Sequence, residues 1–247
     1  MRIVVIGGTG LVGSKLVDVL TGRGHRAVAA SPRTGVNSVT GKGLTEALTG
    51  ADVVVDVSNS PSFDDAAATE FFRTSTTNLL TAERLTGVTH HVALSVVGTE
   101  RLAPQSGYFQ AKLMQEELIG TGPIPYSLVR ATQFFEFLPA IADAGTAADT
   151  VRLPPALIQP MAAVDVAEAL AGIALGDPVD GGIEIAGPQR FALDDLIRAL
   201  FTARGDRRAV LRDADAKYWG IDVSERTLIP GDGARVFGTR LAAWLDA

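Results

Sequence analysis

Met1-Arg-Ile-Val-Val-Ile-Gly-Gly-Thr-Gly-Leu-Val-Gly13, the first thirteen residues, have the pattern of a buried strand, a glycine turn and the start of a helix. The strand is predicted at Ile3–Ile6, and glycines follow at positions 7, 10 and 13. Apolar residues then recur at the spacing of one helix face, at Val12, Leu16, Val19 and Leu20. Free N–H groups at the start of such a helix attract phosphate, so the motif is typical of dinucleotide-binding proteins. The alternative is a structural turn that binds no ligand.

Strand and helix patterns alternate along the first 130 residues. The predicted strands are Arg2–Ile6, Arg26–Ala30, Val53–Val57, His91–Ser95 and Tyr126–Arg130. The predicted helices lie near Leu11–Leu20, Leu44–Leu48, Ala66–Leu85 and Gly107–Ile119. This alternation predicts an α/β fold with a doubly wound parallel sheet. Ligands bind outside the carboxyl ends of the strands in such sheets, so we expect the site at that edge.

After about residue 135 the sequence changes to short elements between prolines, with helices predicted at Val164–Leu175 and Leu193–Ala203. We therefore expect two parts. Residues 1–135 form a nucleotide-binding core, and residues 136–247 form a small substrate lobe with segments that pack back onto the core.

Composition and charge exclude several classes of partner. The net charge is −6 and the isoelectric point is near 5.1, so nucleic acid and anionic membranes are not expected partners. The chain has no cysteine, and its three histidines lack the spacing of metal ligands, so we expect no metal site. No apolar run reaches the length of about 18 residues that a membrane span needs. The opening strand is unlike a signal peptide, so we expect a cytoplasmic protein. The sequence does not determine its oligomeric state.

The second strand ends in Ala30-Ser-Pro-Arg33, and no acidic residue occurs between Asp18 and Glu46. Proteins that prefer NAD usually place a carboxylate in this region, where it binds the ribose 2′-hydroxyl. An arginine fork instead binds a 2′-phosphate, and the Ser31 hydroxyl adds a donor. The sequence therefore predicts NADP(H) as cofactor. The alternative for Arg33 is a solvated loop charge.

Tyr108 and Lys112 lie four residues apart in a predicted helix, so their side chains share one face. A nearby ammonium is expected to lower the pKa of the tyrosine, which then gives a proton to a carbonyl oxygen. Ser95 ends a predicted strand at the cofactor edge, where its hydroxyl is expected to bond a substrate oxygen. The structural alternatives are a surface aromatic for Tyr108 and a turn former for Ser95.

Seven segments occur in an order that spans almost the whole chain: Gly7-Gly-Thr-Gly-Leu-Val-Gly13, Ser31-Pro-Arg33, Leu94-Ser-Val-Val-Gly98, Tyr108-x-x-x-Lys112, Leu128-Val-Arg-Ala-Thr-Gln-Phe134, Val164-Asp-Val-Ala-Glu168 and Ile185-Ala-Gly-Pro188. Through them the chain resembles the short-chain dehydrogenase/reductase superfamily, and more narrowly its atypical, NmrA-like branch. The resemblance implies a Rossmann domain followed by a small C-terminal α/β substrate lobe.

The resemblance also implies where the cofactor lies. NADP(H) is expected across Gly7, Thr9, Gly10, Leu11, Val12, Ser31 and Arg33. The adenosine and ribose are expected near Ser58, Asn59 and Ser60, and the nicotinamide beside Ala131, Thr132 and Phe134. Ser95, Tyr108 and Lys112 are the expected catalytic residues and also contact the cofactor.

The function predicted from these residues is an NADPH-dependent oxidoreductase that transfers hydride to a small carbonyl or quinone. Phe134, Phe135, Phe137 and Leu138 are expected to roof the pocket, although ordinary core packing is an equal alternative for these aromatic residues. The main alternative function is a non-catalytic NADP(H)-binding redox sensor that docks a partner protein. An isomerase or epimerase with a tightly held cofactor is a third hypothesis, but the short C-terminal lobe leaves little room for a nucleotide sugar.

Overall fold

The computed structural model describes all 247 residues. The strands are β1 (Arg2–Ile6), β2 (Arg26–Ala30), β3 (Val53–Asp56), β4 (His90–Val96), β5 (Tyr126–Ala131), β6 (Thr146–Ala147), β7 (Thr150–Leu153), β8 (Leu157–Ile158), β9 (Gly181–Ala186), β10 (Phe191–Ala192), β11 (Ala209–Arg212) and β12 (Arg235–Val236). The helices are α1 (Leu11–Gly22), α2 (Leu44–Leu48), α3 (Asp65–Thr86), α4 (Thr99–Leu102), α5 (Gly107–Gly120), α6 (Leu138–Ala144), α7 (Ala163–Ala174), α8 (Leu193–Arg204) and α9 (Leu241–Leu245). No helix combines the length and the apolar character that membrane crossing needs.

Seven strands form one sheet in the order β2-β1-β3-β4-β5-β9-β12, and every neighbouring pair is parallel. β1 lies between two partners, with Ile3 opposite Ala27 on one side and Val53 on the other. The chain adds β2 on one side of β1, and it then adds β3 and the later strands on the other side of β1. This reversal makes the gap between β1 and β3 the switch point at which doubly wound sheets bind ligands. The predicted α/β fold with a doubly wound parallel sheet is confirmed.

Apolar side chains alternate between the two faces of the central strands because successive strand residues point to opposite sides. Ile3 and Val5 join α1 and α7 in one core cluster. Val4 and Ile6 join α2 and α3 in the cluster on the other face. Helices therefore cover both faces, as the near-continuous apolar runs of buried parallel strands require.

The second half of the chain completes the main sheet and also builds a second apolar core. β9, β12 and α7 complete the main sheet and its cover, and α7 packs along α1. The other elements build a separate apolar core that includes the fully buried Phe135, Leu138 and Leu196. Two small sheets, β6-β7-β11 and β8-β10, border this core. This second core follows the carboxyl end of β5, two strands away from the switch point.

The glycine turn after β1 is dense because three of its glycines, at positions 7, 8 and 13, pack against backbone. Gly7 has a φ of +78°, and a Cβ there would lie 2.9 Å from the Ser58 nitrogen. A Cβ on Gly13 would lie 2.2 Å from the Gly7 carbonyl oxygen and 2.7 Å from the Gly8 Cα. The start of α1 therefore sits directly on the turn, and only glycine permits this approach.

Gly13→Ala is expected to destabilise the fold by about 1–3 kcal/mol, the usual cost of forcing an atom into a packed site. The measurement is urea unfolding followed by circular dichroism. Gly22→Ala is the matched control on the same helix, because a Cβ at Gly22 meets nothing within 4 Å. The control is expected to be neutral or slightly stabilising. Equal stability of the two variants would contradict the close packing of α1 on the turn.

Candidate cofactor and catalytic site

A cleft of about 910 Å³ lies over the switch point, at the carboxyl ends of β1, β3, β4 and β5. Most of the residues predicted for the site line it: Gly7, Thr9, Gly10, Leu11, Val12, Ser31, Ser58, Asn59, Ser60, Ser95, Tyr108, Lys112, Ala131, Thr132 and Phe134. The fold therefore gathers residues from the ends of five different strands into one cavity. Arg33 is the one predicted site residue outside this lining.

The start of α1 is free to bind an anion. Gly10 precedes the helix, and no side chain caps the N-terminus. No acidic residue lies in the first turn. The first N–H groups of a helix have no partner within it, and the helix dipole adds positive potential there. Since Leu11 and Val12 line the cleft, this end of the cavity fits a pyrophosphate.

The turn after β2 holds Ser31 and Arg33 in different ways. Ser31 is buried, and its hydroxyl accepts a hydrogen bond of 3.0 Å from the Thr9 hydroxyl. It also forms a reciprocal capping pair with Thr34. Arg33 is exposed on the short 3₁₀ turn Pro32–Thr34, directly after the lining residues Ser31 and Pro32. Arg33 thus lies outside the lining but next to it in the chain.

Two buried polar atoms near the end of β5 lack a hydrogen-bond partner. They are Thr132 Oγ1 and Gln133 Oε1, and both residues line the cleft. Both atoms are shielded from solvent in the wall of the cleft, and because buried polar groups are normally satisfied, they remain available to a polar ligand that reaches them. A carboxamide offers one acceptor and two donors, which matches this pair. Together with the glycine turn, the residues present fit a nicotinamide dinucleotide.

Tyr108 begins the first turn of α5, and its hydroxyl donates a hydrogen bond of 3.0 Å to Asn59 Oδ1. We expected Lys112 to lower the pKa of this tyrosine, and that expectation is wrong. Burial disfavours the phenolate and raises the pKa of Tyr108 to about 12, while the bond to Asn59 opposes the rise only in part. The phenol is therefore fully protonated at neutral pH.

Lys112 follows one turn later and is almost completely buried. Its ammonium donates to the Leu94 carbonyl at 2.8 Å and to Gln115 Oε1 at 2.5 Å, and it lies 4.7 Å from the centre of the Phe72 ring. Burial lowers the pKa of Lys112 to about 8, although the carboxylates of Asp56 and Glu116 oppose the shift. The Lys112 ammonium is thus engaged by protein groups, and burial sets the direction of the Tyr108 pKa shift.

Ser95 lies in the lining, but its hydroxyl has a protein partner. It donates a hydrogen bond of 2.5 Å to Glu116 Oε1. Arg130 binds the same carboxylate through Nε at 3.1 Å and through a terminal nitrogen at 2.5 Å. The structure therefore brings Ser95 to the predicted edge, while its hydroxyl belongs to a buried Glu116–Arg130 ion pair.

Two of the four residues predicted for the aromatic roof line the cleft. Phe134 and Phe137 line the cleft, and their rings stack with centres 5.3 Å apart. Phe135 and Leu138 are completely buried in the core of the C-terminal lobe, so their assignment to the roof is wrong. In the 3₁₀ turn Phe135–Phe137 residues three apart share one side, so Phe134 and Phe137 face the cleft while Phe135 and Leu138 face the core.

Several lining residues were missed from the sequence. They are Glu70, Phe71, Pro61 and residues 36–39. None of them belongs to a recognisable motif, and they reach the cleft through turns and through the first half of α3. The complete lining contains only two charged residues, Glu70 and Lys112.

Residues 3–122, just under half of the chain, match the model of the NAD dependent epimerase/dehydratase family. The matched part contains the glycine turn together with Ser95, Tyr108 and Lys112. No curated protein matches the chain significantly.

Solved structures of an epimerase and of reductases share the fold over almost the whole chain. UDP-glucose 4-epimerase from Thermus thermophilus, in complex with NAD, is 18% identical over 93% of this chain and 92% of its own, with a TM-score of 0.71. dTDP-4-dehydrorhamnose reductase from Bacillus anthracis, in complex with NADP, is 13% identical over 98% and 92%, with a TM-score of 0.70. The corresponding Clostridium acetobutylicum reductase is 16% identical over 96% and 95%, with a TM-score of 0.69. The fold is thus shared by structures that contain NAD and by structures that contain NADP.

Proposed function

We propose that this protein is an NADPH-dependent oxidoreductase that reduces a small, uncharged carbonyl or quinone. The observation that carries the proposal is the position of Tyr108 and Lys112. They lie one helical turn apart and line the same cleft as the glycine turn. The match of residues 3–122 to a family of NAD-dependent enzymes supports this proposal, as does the fold that the chain shares with reductases. We assign the chain to the NmrA-like branch of the short-chain dehydrogenases on its sequence motifs.

The residues that would hold the cofactor are distributed along the cleft. The start of α1 would bind the pyrophosphate, and Arg33 at the rim would bind the 2′-phosphate. Thr132 and Gln133 would bind the carboxamide through their unpaired atoms. Reduced nicotinamide supplies a hydride when bound, and the protein supplies position and charge.

Tyr108 would act as the acid. Its pKa of about 12 keeps the phenol protonated, so its hydroxyl can donate to a substrate oxygen at neutral pH. A hydride added to the carbonyl carbon and a proton added to the oxygen together give an alcohol. Solvent then returns the proton to Tyr108, and Lys112 would hold the nicotinamide ribose beside it. The C-terminal lobe, residues 136–247, would supply the substrate side of the pocket.

The charges of the cleft favour reduction of an uncharged compound over epimerisation of a nucleotide sugar. A diphosphate-linked substrate needs cations in addition to those that hold the cofactor. Lys112 is the only cation in the lining, and it is already bonded to Leu94 and Gln115. The family match of residues 3–122 supports cofactor binding for a reductase and for an epimerase alike.

The proposal is tested with purified protein in two steps. Calorimetry with NADPH is expected to give saturable heat, and loss of absorbance at 340 nm is expected with at least one member of a panel of aldehydes, ketones and quinones. Binding without turnover on every compound would support a redox sensor instead. Heat from neither NADPH nor NADH would overturn both functions.

Arg33→Ala is expected to weaken NADPH binding about tenfold to a hundredfold, since hydrogen bonds to charged groups contribute about 1.5–3 kcal/mol. NADH binding is expected to change little, because NADH has no 2′-phosphate. Arg26→Ala is the control, since Arg26 is exposed at the opposite end of β2. The measurement is titration with both nucleotides. Equal losses for NADPH and NADH, or no loss for either, would contradict the role of Arg33.

The redox sensor is the second candidate, and one specific observation favours it. The hydroxyl of Ser95 and the ammonium of Lys112 are both bonded to protein groups, Glu116 and Gln115 respectively. A protein that binds the nucleotide without catalysing a reaction does not need the Ser95 hydroxyl or the Lys112 ammonium to be free for a substrate. Turnover of any carbonyl compound would decide against this candidate.

A further inference from the structure

Three aromatic rings from separate parts of the chain form a row beside the cleft. Phe63 follows β3, Tyr108 begins α5, and Trp219 belongs to the C-terminal lobe. The Phe63 ring centre lies 5.2 Å from that of Tyr108 and 6.1 Å from that of Trp219. Phe63 is 64% exposed and Trp219 is 48% exposed. The row therefore extends from solvent to the candidate acid.

Trp219 occupies a backbone position that bulky residues rarely take. Tyr218 and Ile221 pair across a two-residue hairpin, and the residues between them, Trp219 and Gly220, have φ values of +52° and +80°. Such turns favour Asn, Asp or Gly at the first position, because a side chain costs energy at positive φ. The strain presents an indole at the tip of the hairpin, and strain of this kind concentrates at ligand-binding positions.

The hairpin does not need the Phe63–Trp219 contact as an anchor. Gln105, just before α5, exchanges two hydrogen bonds of 3.1 Å with the backbone of Asp222. Tyr218 and Ile221 are buried in the core of the C-terminal lobe. The exposed rings are therefore available for a role other than docking of the hairpin.

The charges beside the row are already paired. Lys217 lies 3.3 Å from the Asp222 carboxylate, and Arg101 donates to the carbonyls of Thr227 and Ile229. The cleft lining itself contains one cation, Lys112, which offers little to a phosphate-bearing substrate. Exposed ring faces instead favour a flat, uncharged partner, since aromatic pairs stack or meet edge to face at these distances.

We propose that Phe63 and Trp219 recognise the substrate and bind a planar, uncharged aromatic ring. A carbonyl group attached to that ring then reaches the Tyr108 hydroxyl. This inference rests on the proposed reduction of a carbonyl compound and names its substrate class. It also assigns a binding role to two residues that lie outside the cofactor cleft.

The binding test does not require turnover. In a Trp244→Phe background Trp219 is the only tryptophan, and the introduced phenylalanine keeps a ring against Phe135. Benzamide is expected to change the Trp219 emission saturably, and cyclohexanecarboxamide of nearly the same shape is expected to change it far less. Phe63→Leu is expected to weaken benzamide binding about threefold to tenfold, as loss of one aromatic pair implies. Equal responses to both amides would overturn the proposal.

The kinetic test compares benzaldehyde with cyclohexanecarbaldehyde. Phe63→Leu and Trp219→Leu are each expected to lower the kcat/KM ratio of the aromatic to the saturated aldehyde about threefold to tenfold, and Trp219→Phe is expected to restore it. A fall in melting temperature without a change in that ratio would mean that the rings only support the fold. Turnover without aromatic preference overturns this inference and leaves the proposed function standing. Benzamide binding at Trp219 without turnover of any aldehyde, ketone or quinone of the panel would leave the aromatic site standing and overturn the proposed reduction.

Discussion

Replacing Tyr108 with Phe is expected to lower kcat for carbonyl reduction about 10²–10⁴-fold, the usual contribution of a general acid. The affinity for NADPH is expected to stay the same, because the substitution removes one hydroxyl and keeps the ring. That hydroxyl donates only to Asn59 in the structure. Phe retains the contacts of the ring with Phe63, Phe72 and Phe109. The measurement is steady-state kinetics on an identified substrate together with NADPH calorimetry.

Tyr126→Phe is the matched control for this experiment. Tyr126 begins β5, at the opposite edge of the sheet from the cleft, so its hydroxyl cannot reach the substrate. The control is expected to keep both kcat and NADPH affinity. If Tyr108→Phe also keeps full activity, another group is the acid. If neither protein reduces any carbonyl compound, the redox sensor becomes the better function.

The fold could be predicted from the sequence because its signals are local. The strand β1, the glycine turn and α1 follow one another within 22 residues. Apolar residues form a continuous run in β1 and recur at helical spacing in α1, so the two elements are distinguishable from the sequence. The ends of the five predicted strands lie within one residue of the observed ends. Parallel order then follows from the alternation of strands and helices, because consecutive parallel strands need a crossover helix. Because ligands bind at the carboxyl edge of such a sheet, the position of the cleft could be predicted as well.

The chemistry of the site could not be predicted as fully, because it depends on partners that are distant in sequence. The Ser95 hydroxyl is directed to Glu116, which lies 21 positions later, and Arg130 fixes that carboxylate. The pKa of Tyr108 depends on how deeply the ring is buried, and spacing from Lys112 carries no information on burial. Local patterns therefore identify the residue types at the site, while tertiary packing decides which groups each side chain meets.

A buried ion pair beneath the sheet gives the second large effect. His91 in β4 and Glu83 in α3 are completely buried, and His91 Nδ1 lies 2.7 Å from Glu83 Oε1. Burial disfavours the charged imidazole, but the Glu83 carboxylate outweighs it and raises the pKa of His91 above 6.5. Asp56 acts in the same direction, and burial together with the charge of His91 lowers the pKa of the neighbouring His90. The far atoms of the pair, His91 Nε2 and Glu83 Oε2, have no partner.

Glu83→Gln is therefore expected to destabilise the protein by about 3–5 kcal/mol near pH 6, as removal of one partner of a buried ion pair does. The amide keeps the shape of the side chain but cannot compensate the imidazolium. Because the folded pKa of His91 exceeds the unfolded value, the stabilisation is complete below pH 6.5 and is lost as pH rises through the folded pKa. The cost of Glu83→Gln is thus expected to shrink at pH 9.

The comparison that isolates this pair uses a second glutamate of the same helix. Glu70 is exposed and pairs with Arg73 on the surface, so Glu70→Gln is expected to change stability negligibly at both pH values. The free energy of unfolding in urea is measured for the wild type and for both variants at pH 6 and pH 9. This gives the destabilisation by each variant at each pH. A cost for Glu83→Gln that is equal at the two pH values would mean that His91 is neutral in the folded protein. In that case the carboxylate accepts an ordinary hydrogen bond, and the pair is not ionic.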